Sequence, residues 1–200
     1  MIICIEGNIG SGKSTFMAML KEALKDREDV CFLDEPVDSW SNFKDENGNI
    51  LEHYYQDQEK WGFSFQMLAY ISRLTILRKA LAYKYIITER SLFTDKYVFC
   101  RMLYETKKIH PIQYQIYQAW FDEFNVTTHE YQFVYLRTSP EVALARVNKR
   151  GRKGENIPLE YLTDCHRYHE DWLSSALCFD ANVDVADTQE WVSQVEKILK

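Results

Sequence analysis

One segment restricts this chain more than any other: Gly7-Asn8-Ile9-Gly10-Ser11-Gly12-Lys13-Ser14, which follows the apolar run Ile2 to Ile5 and opens a helical period through Phe16, Met19, Leu20 and Leu24. A glycine-relaxed turn between a strand and a helix N-terminus presents a row of backbone N–H groups to an anion. The lysine adds a positive charge at the outer phosphates of a nucleotide, and the Ser14 hydroxyl is a ligand for Mg2+. Pattern and setting together predict a triphosphate site over Gly7, Asn8, Ile9, Gly10, Ser11, Gly12, Lys13, Ser14 and Thr15.

Apolar runs of strand length at Ile2 to Glu6, Val30 to Asp34, Tyr85 to Thr88, Phe133 to Leu136 and Val183 to Ala186 alternate with helical periods. Each gap is long enough for a crossover helix. The expectation is an α/β chain with a five-stranded parallel sheet flanked by helices. With 200 residues and 46% apolar content, one domain over 1–200 is expected. Ser41 to Asn49 and Arg150 to Asn156 lack apolar periodicity and are predicted loops.

A long helix predicted from Trp61 to Leu81 carries Phe65, Leu68, Ile71, Leu74 and Leu81 as its core stripe, with Gln66, Ala69, Tyr70 and Arg73 on another face. Around Ile112, Ile116, Trp120 and Phe124 the helical pattern recurs with Tyr114, Tyr117 and Phe121 added. That is more apolar surface than one face can bury, so a homodimer through this helix is expected.

Composition excludes several classes. The net charge is −6, from 24 basic and 30 acidic residues, and the basic ones are scattered apart from Lys149 to Lys153. A nucleic acid polymer is therefore not an expected partner. No apolar run reaches membrane-spanning length, so no membrane association is expected. Five cysteines without a Cys-x-x-Cys pair suit reduced thiols in the cytoplasm. His166-x-x-His169 beside Cys165 has metal-ligand spacing but no second cluster to complete a site, so zinc is not expected.

The acceptor side is written after the second and third strands. Asp34-Glu35-Pro36-Val37 falls at the carboxyl edge of the predicted sheet, beside the phosphate loop, where ligands of parallel sheets collect. A carboxylate there can take the proton of an attacking hydroxyl, whereas an acceptor bringing its own phosphate would call for an arginine. Glu89-Arg90-Ser91 follows the third strand. Arg90 can bridge Glu35 and the phosphoryl group in transfer, and Glu89 can support Mg2+. Lys13, Glu35 and Arg90 are thus the expected catalytic residues. Asn148-Lys149-Arg150-Gly151 lacks the aspartate of a guanine-selective motif, which disfavours a GTPase.

In this order the motifs resemble the deoxynucleoside kinase family, whose members include deoxycytidine and deoxyguanosine kinases and the insect multisubstrate enzyme. The resemblance runs from the phosphate loop through Glu35-Pro36-Val37 with Trp40, Trp61 to Phe65-Gln66, Glu89-Arg90-Ser91 to Asp95, Arg146 to Arg152, and Ile157-Pro158-Leu159-Glu160-Tyr161-Leu162. It implies a P-loop kinase fold with a short arginine-rich lid at about 150–156, and phosphoryl transfer from ATP in nucleotide salvage. Glu35 would be the base for the deoxyribose 5′-hydroxyl and Arg90 its positioning partner. Phe65 and Gln66 would meet the nucleobase, Tyr55 and Glu155 the sugar 3′-hydroxyl, and Arg146, Arg150 and Arg152 would close over ATP. The lid is one residue shorter than in the animal relatives with paired glutamates. The first strand begins at residue 2, which argues against a mitochondrial form.

Gln66 and Arg73 are two helical turns apart and share a face. An arginine in a base pocket needs a carboxylate partner, and Asp95 is the candidate. Such a pair resembles the arrangement in deoxycytidine and deoxyguanosine kinases and favours deoxycytidine or a purine deoxynucleoside over thymidine. Two rivals remain: a nucleoside monophosphate kinase of the thymidylate kinase type, for which Arg-Glu-Pro-Gly is expected at 34–37, and a nucleotide-binding regulatory subunit, in which a base at Glu35 has no use.

Overall fold

The structure, a computed structural model, describes residues 1–125, 129–152 and 154–200. Strand β1 (Ile2–Gly7) is buried along its whole length at the centre of the sheet. The phosphate loop leads to α1 (Lys13–Ala23), β2 (Val30–Leu33) and α2 (Val37–Trp40). The stretch expected to be a loop contains a small hairpin, β3 (Lys44–Asp45) and β4 (Gly48–Asn49), followed by α3 (Ile50–Gln56) and the long α4 (Gln58–Ala80). Next come β5 (Tyr85–Glu89), α5 (Leu92–Thr94), a π-helical turn over Asp95–Cys100, α6 (Arg101–Glu105) and α7 (Pro111–Phe124). The chain ends with β6 (Tyr131–Arg137), α8 (Pro140–Arg150), α9 (Leu159–Trp172), β7 (Leu177–Asp180), a 3-10 turn Val185–Asp187 and α10 (Gln189–Glu196).

The strand order is β2-β5-β1-β6-β7, with every neighbouring pair parallel. This is the five-stranded parallel sheet expected from the sequence. Alternation along β1 divides the core into two layers. Ile2 and Cys4 pack with Ile86, Tyr70 and Leu74, while Ile3 and Ile5 pack with Ile87, Phe16 and Leu20 of α1 and Trp191 of α10. With helices on both faces, β1 needs no polar alternation, which is why it is a continuous apolar run. The switch in crossover direction lies beside β1, so the carboxyl ends of β1, β2 and β5 open into one crevice.

Two expectations are corrected. The fifth strand is Leu177–Asp180, pairing Leu177 with Val134, and not Val183 to Ala186. Val183 is 51% exposed on a bend, and Val185 begins the 3-10 turn. An edge strand needs few buried side chains, and here Phe179 is the one that is deeply buried, so its pattern is weak beside the valines that follow. In α4 the buried face is Gln66, Ala69, Tyr70 and Arg73 together with Phe65, Leu74 and Leu77. Ile71, expected in the core stripe, is 41% exposed, and Leu81 lies just past the helix end. Arg73 on α4 is buried because Asp95 and Glu35 pair with it, which a count of apolar residues does not register.

Candidate active site

The phosphate loop depends on backbone conformations that other residues resist. Gly10 has φ +81°, and a Cβ there would lie 2.5 Å from the carbonyl oxygen of Ala143. Gly12 caps α1 in the left-handed region with φ +96°, and a Cβ would strike Val185 at 2.5 Å. The Asn8 side chain accepts from the N–H of Ile9 and donates to the carbonyl of Leu162, tying the loop to α9. Lys13 is buried, with Nζ donating to the Asn8 carbonyl at 2.7 Å. Burial, aided by the charge of Arg90, pulls the Lys13 ammonium down to about 7 against the opposing pull of Glu89, Glu35 and Glu6. Ser14 Oγ donates to Glu89 Oε1 at 2.9 Å.

Across the crevice, Glu35 follows β2 and meets two arginines. Its Oε1 accepts from Arg90 Nη1 at 2.7 Å and from Arg73 Nη2 at 3.1 Å. Arg73 also donates from Nε to Asp95 Oδ2 at 3.0 Å and from Nη1 to the carbonyl of Glu89 at 3.0 Å. Asp95, Arg73, Glu35 and Arg90 therefore form one chain of alternating charge, buried except at Glu35, which is partly exposed. Burial opposes ionisation of Glu35, but Arg90, Arg73 and Lys13 outweigh it and hold its carboxyl well below the usual carboxylate range. Burial raises the Asp95 carboxyl despite the attraction of Arg73. Arg90 itself has φ +63°, and its guanidinium lies over the Phe99 ring at 5.2 Å.

These groups share a cavity of about 790 Å³, within the range of small-molecule sites. Of the site residues read from sequence, all but Gly7, Asn8 and Ser11 line it. At one end Trp40 and Phe65 meet edge to face at 5.2 Å, beside Gln66 and Ala69. Gln66 is buried, and its Oε1 has no hydrogen-bond partner among the described residues. Tyr54 and Tyr55 both reach the cavity, but the Tyr54 hydroxyl is held by Tyr161 at 2.8 Å. Burial pushes the Tyr55 hydroxyl well up, and Glu155 adds to the effect.

At the other end, Arg146 donates to the carbonyls of Ala181 and Val183, and Arg150 and Arg152 both pair with Glu155. Lys153 of the expected lid lies outside the described residues. Sequence reasoning missed Phe99, Leu51, Asp38, Val142 and the turn Asn182 to Val185, which also line the cavity. The turn was hidden by the misplaced fifth strand, and Phe99 sits in a π-helical segment whose facing no helical period gives. His169, set aside as a metal ligand, is buried with Nδ1 at 2.6 Å from the Cys165 carbonyl. Among the described residues no group of three His, Cys, Asp or Glu side chains is placed to hold a metal ion. Nor is any described helix long and apolar enough to cross a membrane.

Comparison with known proteins supplies the frame. The Deoxynucleoside kinase family model matches residues 3–200. Deoxycytidine kinase 1 of Xenopus laevis is 35% identical over 98% of this chain and 88% of its own length, as is human deoxycytidine kinase. Human mitochondrial thymidine kinase 2 is 35% identical over 89% of this chain and 66% of its own length. Matched from its first strand to its last residue, the protein belongs to the deoxynucleoside kinase family and is a kinase enzyme.

Proposed function

We propose that this enzyme transfers the γ-phosphoryl group of ATP to the 5′-hydroxyl of a deoxynucleoside in nucleotide salvage, taking deoxycytidine or a purine deoxynucleoside in preference to thymidine. The observation that carries this reading is the Glu35 carboxylate, fixed between Arg90 and Arg73 in the same cavity as Lys13 and Ser14.

Glu35 accepts a hydrogen bond from the 5′-hydroxyl and aims its oxygen at phosphorus. As the new O–P bond forms and the β–γ bridge breaks, the hydroxyl proton passes to Glu35. A carboxylate held so far into its ionised range is a weak base. That suits a loose transition state, in which nucleophile bonding is slight and the proton leaves late. Arg90 Nε is buried with no partner among the described residues, which leaves a donor for a phosphoryl oxygen. Ser14 and Glu89 offer a hydroxyl and a carboxylate as a hard-oxygen pair, which fits Mg2+ alongside phosphate oxygens and water. When bound, that ion neutralises charge on the β- and γ-phosphates.

Base preference rests on Gln66, Arg73 and Asp95. Relatives named for deoxycytidine and for thymidine are both 35% identical to this chain, so identity does not decide between them. A buried amide acceptor in the same cavity as a buried guanidinium–carboxylate pair matches a base edge with amino donors, and leaves polar groups unmatched against a methyl. Tyr55 and Glu155 serve the sugar 3′-hydroxyl, and Arg146, Arg150 and Arg152 the donor phosphates. A homodimer is supported by Ile112, Ile116 and Trp120, at four-residue steps on α7 and 60%, 42% and 43% exposed. Buried free thiols at Cys4, Cys100 and Cys165 fit the reducing cytoplasm.

A coupled assay with ATP, the four deoxynucleosides and their monophosphates tests this. Turnover of deoxycytidine or a purine deoxynucleoside above thymidine is expected. Activity confined to monophosphates would defeat the acceptor assignment, and thymidine as the best substrate would defeat the base preference.

A further inference from the structure

We infer that Glu6 is a positioning residue for Arg90. The inference rests on the reading of Arg90 as the group that steadies Glu35 and the phosphoryl group in transfer. Glu6 is fully buried in the central strand, where an apolar side chain would be the more stable choice. Burial raises its carboxyl, and no lysine or arginine is in direct ion-pair contact with it among the described residues. What it touches instead are two hydroxyls: Ser91 Oγ donates to Oε1 at 2.6 Å, and Thr94 Oγ1 donates to Oε2.

Both hydroxyls belong to the turn that begins at Arg90. Arg90 and Lys107 are the two non-glycine residues with positive φ among the described residues, so Arg90 occupies a strained backbone state. Three contacts hold it there. Its N–H donates to the Ile5 carbonyl at 3.0 Å, its own carbonyl accepts from Thr88 Oγ1 at 2.9 Å, and the next residue is anchored by Glu6. Two of the three anchors, Ile5 and Glu6, come from β1. The strand that carries the phosphate loop therefore also fixes the backbone from which Arg90 reaches Glu35 at 2.7 Å. Ser91 and Thr94 form a reciprocal cap on α5, but that cap needs no carboxylate beneath it. Glu6 adds a link between the phosphate loop and the arginine turn that local capping does not supply. Without it the turn can relax to an unstrained φ, which displaces the guanidinium from Glu35.

The test is a double-mutant cycle with Glu6→Gln and Arg90→Met, read as kcat, KM for each substrate and Tm. Glu6→Gln keeps the shape and removes the charge. The expected result is a fall in kcat of about tenfold or more, because small misplacements at a reacting centre cost this much. Both KM values stay within about twofold, and Tm holds or rises as a buried charge is removed. In the Arg90→Met background Glu6→Gln adds no further loss. Ser91→Ala, which breaks the same link, gives the same fall in kcat and the same silence in that background, and carries the test if Glu6→Gln does not fold. Parental kcat in Glu6→Gln overturns the inference while leaving the role of Arg90 intact. So does a loss of kcat that persists in full in the Arg90→Met background, the mark of a general structural role. Parental turnover in Arg90→Met removes the role of Arg90, and the inference with it.

Discussion

Arg90 Nη1 and Arg73 Nη2 donate to the same carboxylate oxygen, Glu35 Oε1, at 2.7 and 3.1 Å. One oxygen is therefore committed to the two arginines, and in the proposed mechanism Oε2 is the one that meets the acceptor hydroxyl. Glu35→Gln keeps the shape but cannot take a proton. We expect turnover to fall about 100-fold or more with nucleoside binding largely retained, measured by steady-state kinetics and direct titration. Because the arginines hold Glu35 ionised far below neutrality, its own titration puts no acid limb into the kcat profile between about pH 5 and 8. Unchanged turnover in Glu35→Gln would remove this residue from proton transfer.

Lys13 predicts a proton balance. Burial and the charge of Arg90 draw it down to about 7, so it should be mostly neutral at pH 8 in the free protein. A bound triphosphate supplies the negative charge that restores the ammonium, so binding at pH 8 should take up about one proton. Calorimetry in two buffers of different ionisation enthalpy reads this directly, and Lys13→Met should abolish the uptake. The stability linkage has the matching sign. The unfolded lysine binds more protons than the folded one between pH 7 and its ordinary value, so the penalty of a charged Lys13 is relieved as pH rises through that window. Binding heat that does not depend on the buffer would mean that Lys13 is already charged before the phosphates arrive.

What the sequence made legible follows from how local each signal is. Strand, glycine turn and helix are consecutive at Gly7 to Ser14, so the phosphate loop was readable from spacing alone. Glu35 and Arg90 were readable because each lies within two residues of a strand's carboxyl end, and a parallel sheet brings such positions to one edge. The Arg73–Asp95 pair needed the helical period plus the rule that a buried charge requires a partner. Three features lay beyond such reasoning. The edge strand at Leu177–Asp180 has little buried surface and so little pattern. The engagement of Arg150 and Arg152 with Glu155 depends on the lid's backbone path. Glu6 looks like the polar end of a strand, and its meaning appears once Ser91 and Thr94 are seen above it.

The exposed stripe on α7 makes a prediction about assembly. Ile112, Ile116 and Trp120 lie one turn apart on a helix whose other side buries Tyr117 and Phe121. Ile71 on the neighbouring α4 extends the apolar surface, and α7 touches that helix where the Tyr70 hydroxyl meets the Trp120 carbonyl at 3.3 Å. Exposed apolar side chains gathered in a stripe are characteristic of subunit contacts. The parent protein should sediment at twice the chain mass, and Ile116→Glu should sediment as one chain. Ile116 does not line the cavity, so chemistry within each subunit should survive the change. Sedimentation of the parent as one chain at micromolar concentration would sink the dimer.

The last prediction concerns acid stability and His169. Its ring stacks parallel to that of Tyr135, with centroids 6.0 Å apart, and Nδ1–H donates to the Cys165 carbonyl. Nε2 is buried without a partner among the described residues, so a second ring proton would have no acceptor there. Burial draws the imidazole down to about 3, from an ordinary value of 6.5. Between these two values the unfolded chain binds a proton that the folded chain refuses, so stability falls as pH drops through this window and is kept above it. By pH 5 this single group should have removed about 2 kcal/mol relative to pH 8. His169→Phe keeps a stacked ring and removes the titration. Denaturant unfolding of parent and variant at pH 8 and pH 5 should therefore show the variant losing less by about that amount. Equal losses in both would show that the imidazole accepts its second proton inside the fold.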